Sequence, residues 1–213
     1  MKAMFRSAAR SAGLLLTYTV VGGAVLAAVY AVTHNTIQKN EDDARRKLVA
    51  ETLPPGSYNN DLLQGQFNLP RDPLLGNGET GSLAWQARLQ GIPVAVVLEA
   101  TAPDGYGGEI NLLVGVTRHG NISGVRVVEQ HETPGLGDYI ELAKSKWIHV
   151  FDGRSLSNTT DTGWQVRKDG GQFDYVTGAT VTPRAVVKAV HHALQYVAAH
   201  QGILFSSHPG GHS

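Results

Sequence analysis

The stretch Asp174–Thr182 reads D-Y-V-T-G-A-T-V-T, and Pro183 follows it. Gly178 removes a Cβ from its centre, so backbone and ligand can approach closely. Thr180 and Thr182 stand where a helix should begin, and Pro183 suits a first helical position. Beyond it, Val186, Val187, Val190, Leu194 and Val197 recur at helical spacing and give Ala185–Leu204 an apolar stripe suited to packing on a sheet. A helix start gathers N–H groups without partners and the positive end of the dipole, which favours a phosphate. Thr182 as a plain N-cap satisfies the same spacing with nothing bound.

Upstream of this turn the periodicity is of the β type. Ala84–Leu89, Pro93–Thr101, Ile110–Arg118 and Ile122–Glu129 read as four strands of an antiparallel meander with one face buried. Ala102–Gly108 holds Pro103, Asp104 and three glycines, the mark of a turn or a ligand-facing loop. His119-Gly120-Asn121 suits a tight hairpin. His131–Gly137, H-E-T-P-G-L-G, reads by itself as a Pro-Gly turn leaving a strand. Tyr139–Val150 is predicted as an amphipathic helix with Leu142, Ala143 and Trp147 on one side, while Lys144 and Lys146 face solvent in preference to a phosphate. Gly153–Gly171 is polar and turn-rich, with a short edge strand around Trp164 and Val166.

At the other end, Ser11–Thr33 contains no Lys, Arg, Asp or Glu. As a helix it is about 35 Å long against a hydrocarbon core of about 30 Å, so it spans a bilayer with some tilt. The apolar run is longer than the ~7–15 residues of a signal peptide, although Val29-Tyr30-Ala31 has the small residues of a cleavage site. A retained anchor over 11–33 is the expectation. Residues 1–10 carry Lys2, Arg6 and Arg10 and are read as cytoplasmic; Lys39, Arg45, Arg46 and Lys47 follow the span at a greater distance. Within 34–81, Gln38–Leu53 is predicted as a juxtamembrane helix ending before Pro54-Pro55, and Gly56–Glu79 as loop. His208 and His212 lie in a Gly/Ser/Pro tail, 205–213, read as disordered.

The chain has 213 residues, 18 Lys and Arg against 18 Asp and Glu, and no Cys. A net charge of zero with no basic block beyond the N-terminal region argues against nucleic acid as a partner. Without Cys there is no disulfide, no Cys-ligated iron–sulfur cluster and no cysteinyl flavin link in this chain.

D-x-x-T-G-A-T-x-T resembles the flavinylation motif of the FMN-binding domain family. Its members include the G subunit of the Rnf electron-transport complex and the C subunit of the sodium-pumping quinone reductase. In that family a flavin transferase moves FMN from FAD onto the hydroxyl of the last Thr or Ser of an [ST]-G-A-[TS] core, forming a phosphoester. The resemblance implies that Thr180 is the acceptor and that Asp174 is the motif acid that helps the transferase. Thr177, Gly178, Ala179 and Thr182 complete the cofactor-binding turn. E-T-P-G-L-G resembles a second motif of the family on the FMN side of the fold, which implies Glu132, Thr133, Gly135 and Leu136 as pocket residues. Backbone N–H groups and close approach at Gly135 would serve the flavin there, with Leu136 against the ring.

The implied fold is α+β, with an N-terminal transmembrane helix followed by an FMN-binding domain over 82–204 that packs helices on an antiparallel sheet. The implied role is electron relay by covalent FMN inside an ion-translocating ferredoxin/NAD complex of the bacterial inner membrane, with the domain on the periplasmic side. The implied partners are the other membrane subunits, the transferase and lipid. No catalytic residue and no metal ligand is assigned. A single anchor and a short chain favour the Rnf branch over the quinone reductase. The competing class is a membrane-tethered interaction module without redox chemistry. A stand-alone flavin reductase fits poorly, since no G-x-G-x-x-G follows a strand.

Overall fold

The computed structural model describes residues 2–76 and 81–207, with side-chain surroundings for 12–34, 43–76 and 81–207. Residues 1–45 and 46–213 form two compact units. Helix α1 (Lys2–Glu51) supplies the first. Its stretch Ala12–His34 has a mean hydropathy of 2.0, is 23 residues long and buries none of its most apolar window, as a bilayer-spanning surface requires. The threonine hydroxyls on it donate to carbonyls one turn back, Thr17 to Gly13, Thr19 to Leu15 and Thr33 to Val29, at 2.8–2.9 Å. Hydroxyls satisfied within the helix carry little penalty in lipid.

The second unit is built on a five-stranded antiparallel sheet in chain order: β1 (Gln66–Leu69), β2 (Ser82–Leu89), β3 (Ile92–Ala102), β4 (Ile110–Thr117) and β5 (Ile122–Glu129). Strand β1 lies within Gly56–Glu79, whose composition predicts loop. Its four residues carry no clear alternation, and their pairing to β2 (Phe67 with Ala84, Leu69 with Ser82) supplies the order. The β2–β3 hairpin turns on Gln90 (φ 53°) and Gly91 (φ 81°), the left-handed pair of a two-residue hairpin.

Both faces of the sheet are covered, not one. On the first lies helix α2 (Val181–Ala199), whose Val186, Val187, Val190, Leu194 and Val197 are buried with Val96, Leu98, Leu112 and Val114. The second face carries the end of α1. Val49 and Leu53 bury there with Leu62, Trp85, Ala87, Val97 and Leu113. The Thr52 main chain rests on the paired glycines Gly115 and Gly124, where a Cβ would meet the Thr52 carbonyl oxygen at 2.7 and 2.9 Å. A glycine pair across two strands gives a flat shelf that admits backbone.

Three further expectations differ from the structure. Tyr139–Val150 forms no α-helix. It folds as two 3₁₀ turns, Asp138–Ile140 and Trp147–Phe151, with the Ser145 hydroxyl accepting the Trp147 N–H at 3.1 Å. Aromatic packing sets this geometry, since Trp147, Phe151, Phe173 and Trp164 meet ring to ring at 5.1–5.5 Å. The helix expected over Ala185–Leu204 breaks at His200 and resumes as α3 (Gln201–Leu204). The segment read as a disordered tail from 205 is tied to β2 through residue 207. The Gln86 amide donates to the carbonyls of Leu204 and Ser206, and Arg88 donates to that of Ser207. Residues 208–213, with His208 and His212, lie outside the described residues.

Candidate functional site

Helix α2 begins one residue after Thr180, which occupies the N-cap position with helical torsions and makes no capping hydrogen bond with its side chain. Pro183 is therefore the third helical residue, not the first. No hydrogen bond ties up the N–H groups of Val181 and Thr182 among the described residues, and the first helical N–H bond of this end is Arg184 to the Thr180 carbonyl at 3.3 Å. The Thr180 hydroxyl is likewise unengaged and half-buried. Two open N–H groups, the helix dipole and a free hydroxyl thus share one corner.

Thr182 is no cap. Its hydroxyl donates to Glu132 Oε2 at 2.5 Å, and both residues are buried. The other carboxylate oxygen, Oε1, accepts the Gly107 N–H at 3.0 Å. Glu132 thereby joins three segments: its own turn, the glycine loop after β3 and the start of α2. The glycines make the approach possible. A Cβ on Gly107 would lie 1.9 Å from the His131 carbonyl oxygen, and one on Gly137 would lie 2.8 Å from Glu132 Oε2. Each carboxylate oxygen accepts one of these bonds, so Glu132 braces the junction from within.

The same holds for the backbone of the E-T-P-G-L-G turn. Gly135, at φ 75°, gives its N–H to Asp138 Oδ1 at 2.8 Å, and the N–H groups of Leu136 and Gly137 go to the Thr133 carbonyl at 3.1 and 2.9 Å. These donors close the turn on itself, so the open donors come from the helix start instead.

A cleft of about 320 Å³ opens at this junction. Glu132, Thr133, Leu136, Gly178, Ala179, Thr180 and Thr182 line it, which brings the two motifs together across some fifty residues of chain. Gly135, Thr177 and Asp174 do not line it. The Asp174 carboxylate points to Arg167 Nε at 3.0 Å in solvent, while its carbonyl accepts the Trp147 indole N–H at 2.8 Å. Tyr139 supports the same loop by accepting the Val176 N–H at 3.4 Å, and burial pushes its phenol up to about 12. Tyr106 and Val181, which neither motif singles out, also line the cleft. The G-Y-G-G string was the available signal for Tyr106, because a residue between close-packed glycines is held outward. Tyr106, Leu136 and Val181 are all exposed, at 72%, 43% and 40%. Together they make the cleft apolar where the helix start makes it electropositive.

His191 and His192 on α2 lie elsewhere. His191 stacks on Trp164 with centroids 5.0 Å apart and planes 3° from parallel, and burial holds both imidazoles below their ordinary 6.5. Among the described residues no three His, Asp or Glu side chains converge as metal ligands would.

Comparison with known proteins adds the lineage. Residues 105–195 match the FMN-binding domain family, and residues 1–51 match the RnfG N-terminal region. The G subunit of the ion-translocating oxidoreductase complex of Pseudomonas aeruginosa is 50% identical over 208 residues, 97% of this chain and 97% of its own. Its namesake from Cronobacter sakazakii is 48% identical over 182 residues, covering 85% and 86%. That of Vibrio cholerae serotype O1 is 43% identical over 196 residues, covering 92% and 93%. The chain belongs to the family of G subunits of ion-translocating oxidoreductase complexes.

Proposed function

We propose that this protein is the membrane-anchored flavoprotein subunit of an ion-translocating electron-transport complex, and that it carries FMN esterified through phosphate to Thr180. The observation that carries the reading is the convergence in one cleft of an unengaged Thr180 hydroxyl, the open N–H groups of Val181 and Thr182, and the apolar surfaces of Tyr106, Leu136 and Val181. These residues fit the two ends of FMN. The helix start suits a phosphate diester, and the apolar patch suits a flat ring.

Attachment transfers FMN from FAD. Thr180 Oγ bonds to the flavin-side phosphorus, the pyrophosphate bond breaks, AMP leaves, and the hydroxyl proton goes to solvent. A flavin transferase supplies this step, with Asp174 as the acid it reads. The exposure of Asp174 and Thr177 on a loop braced from behind by Trp147 and Tyr139 supports that assignment. Once bound, FMN supplies the one- and two-electron chemistry. The chain's own contribution is placement: the ester prevents loss of cofactor, the N–H groups offset the remaining phosphate charge, and the Glu132 brace fixes the distance between turn and helix.

Helix α1 anchors the protein in the membrane. The basic residue Arg10 abuts the apolar stretch, which supports a cytoplasmic N-terminus and an FMN domain on the periplasmic side of the bacterial inner membrane. The remaining subunits of the complex are the electron donor and acceptor, so the isolated subunit relays electrons but completes no reaction. Intact-mass measurement of the chain from its native membrane, followed by mapping of the flavin peptide, tests the reading. FMN mass on the peptide containing Thr180 is the expected result, and FMN on any other peptide overturns it.

A further inference from the structure

We infer that Tyr106 covers one face of the flavin ring. The inference rests on the reading that Thr180 tethers FMN in this cleft, and it names the residue that meets the ring. Tyr106 is the most exposed of the cleft's apolar side chains, at 72%, and no hydrogen bond or ring contact restrains its phenol among the described residues. Its backbone is nonetheless fixed. Gly105 and Gly107 flank it so tightly that a Cβ on either would lie 2.3 Å from the Gly108 oxygen or 1.9 Å from the His131 oxygen. The Gly107 N–H is bonded to Glu132, the same carboxylate that receives the Thr182 hydroxyl. The platform presenting Tyr106 is therefore braced directly to the helix start that carries Thr180.

A large apolar ring held out in water by a rigid loop is unusual in a domain whose other aromatic side chains are buried or partly buried. It makes sense where a second flat apolar surface arrives beside it. Tyrosine suits that place, because its ring stacks on an aromatic face while its hydroxyl stays wet. A cleft of about 320 Å³ lies at the small end of the ~300–1,000 Å³ typical of ligand pockets. Such a cleft holds the ring from the side without enclosing it, so one more aromatic wall decides how much of the flavin meets solvent.

The test uses the full-length chain, loaded with FMN by co-expressed transferase and purified in detergent. Iodide quenching of flavin fluorescence and visible circular dichroism are read for wild type, Tyr106→Ala, Tyr106→Leu and Tyr106→Phe. In Tyr106→Ala the iodide quenching constant should rise about twofold, because a wall over one of two ring faces is lost. Tyr106→Phe should keep both wild-type quenching and the wild-type dichroism. Tyr106→Leu retains apolar bulk without a ring, so it should lose the aromatic contribution to the flavin dichroism even if the alanine chain loads poorly. Loaded Tyr106→Ala or Tyr106→Leu chains that match wild type in both measurements overturn the inference. A wild-type chain without FMN on Thr180 overturns the underlying reading instead, and intact mass separates the two cases.

Discussion

The Thr182 hydroxyl donates to Glu132 Oε2 at 2.5 Å across fifty residues of sequence, and this buried contact joins the two sides of the cleft. A hydroxyl that would otherwise cap its own helix is spent on a distant carboxylate. The N–H groups of Val181 and Thr182 at the same helix start take no hydrogen bond among the described residues.

Removing that hydroxyl should cost more than a lost cap. Thr182→Val leaves a buried carboxylate oxygen short of its donor, at about 2 kcal/mol. Thr182→Ser keeps the donor and should stay within about 0.5 kcal/mol of wild type. Urea denaturation of the unloaded chain measures both, and equal stabilities for the two variants would show the contact to be energetically idle.

Thr180→Val should abolish covalent FMN without a stability penalty. The hydroxyl takes no hydrogen bond, so losing it changes unloaded stability by less than about 0.5 kcal/mol. Intact mass reports the loading and thermal denaturation the fold. Flavin retained on the valine chain would move the attachment elsewhere.

The glycine loop should be intolerant of side chains, to different degrees at different positions. Gly107→Ala forces a methyl against the His131 carbonyl and should cost about 3 kcal/mol or more. Gly135→Ala meets open space and carries only the strain of φ 75°, about 1 kcal/mol. Chemical denaturation of both variants checks the ranking; the reverse order would contradict the packing described.

Acid should weaken the domain through His191 and His192. Burial lowers both values below 6.5, helped at His192 by the charge of Lys188, so folding favours the neutral rings despite Asp161 at 3.6 Å from His191 and Asp104 near His192. Their contribution is complete above pH 6.5 and is lost as the pH falls below it. His191→Phe preserves the stack on Trp164 and should flatten the decline of melting temperature between about pH 7 and pH 5. An unchanged slope would assign the acid sensitivity to other groups.

Orientation can be read with a single thiol, since the natural chain has none. Ser207→Cys, at an exposed position, should react with a membrane-impermeant reagent added to spheroplasts. Reaction only after permeabilisation would place the domain in the cytoplasm.

Much of this protein is legible locally. The charge-free run that contains Ala12–His34, the apolar stripe of α2 and the four long strands each follow from side chains that interact with near neighbours or with a uniform solvent, so pattern suffices. The T-G-A-T turn with its helix is likewise a local signal. What only the tertiary structure decided involves groups that choose between a near partner and a far one. Thr182 satisfies an N-cap pattern yet bonds Glu132; Gly135 looks like an open donor yet closes on Asp138; Tyr139–Val150 has helical spacing yet yields to the ring packing of Trp147 and Phe151. Strand β1 exists because β2 offers an edge to pair with. Tyr106 enters the site because Gly105 and Gly107 let its loop settle against the 131–132 backbone. Each of these outcomes depends on which distant backbone or carboxylate arrives at hydrogen-bond or van der Waals distance, and spacing along one chain carries no such information.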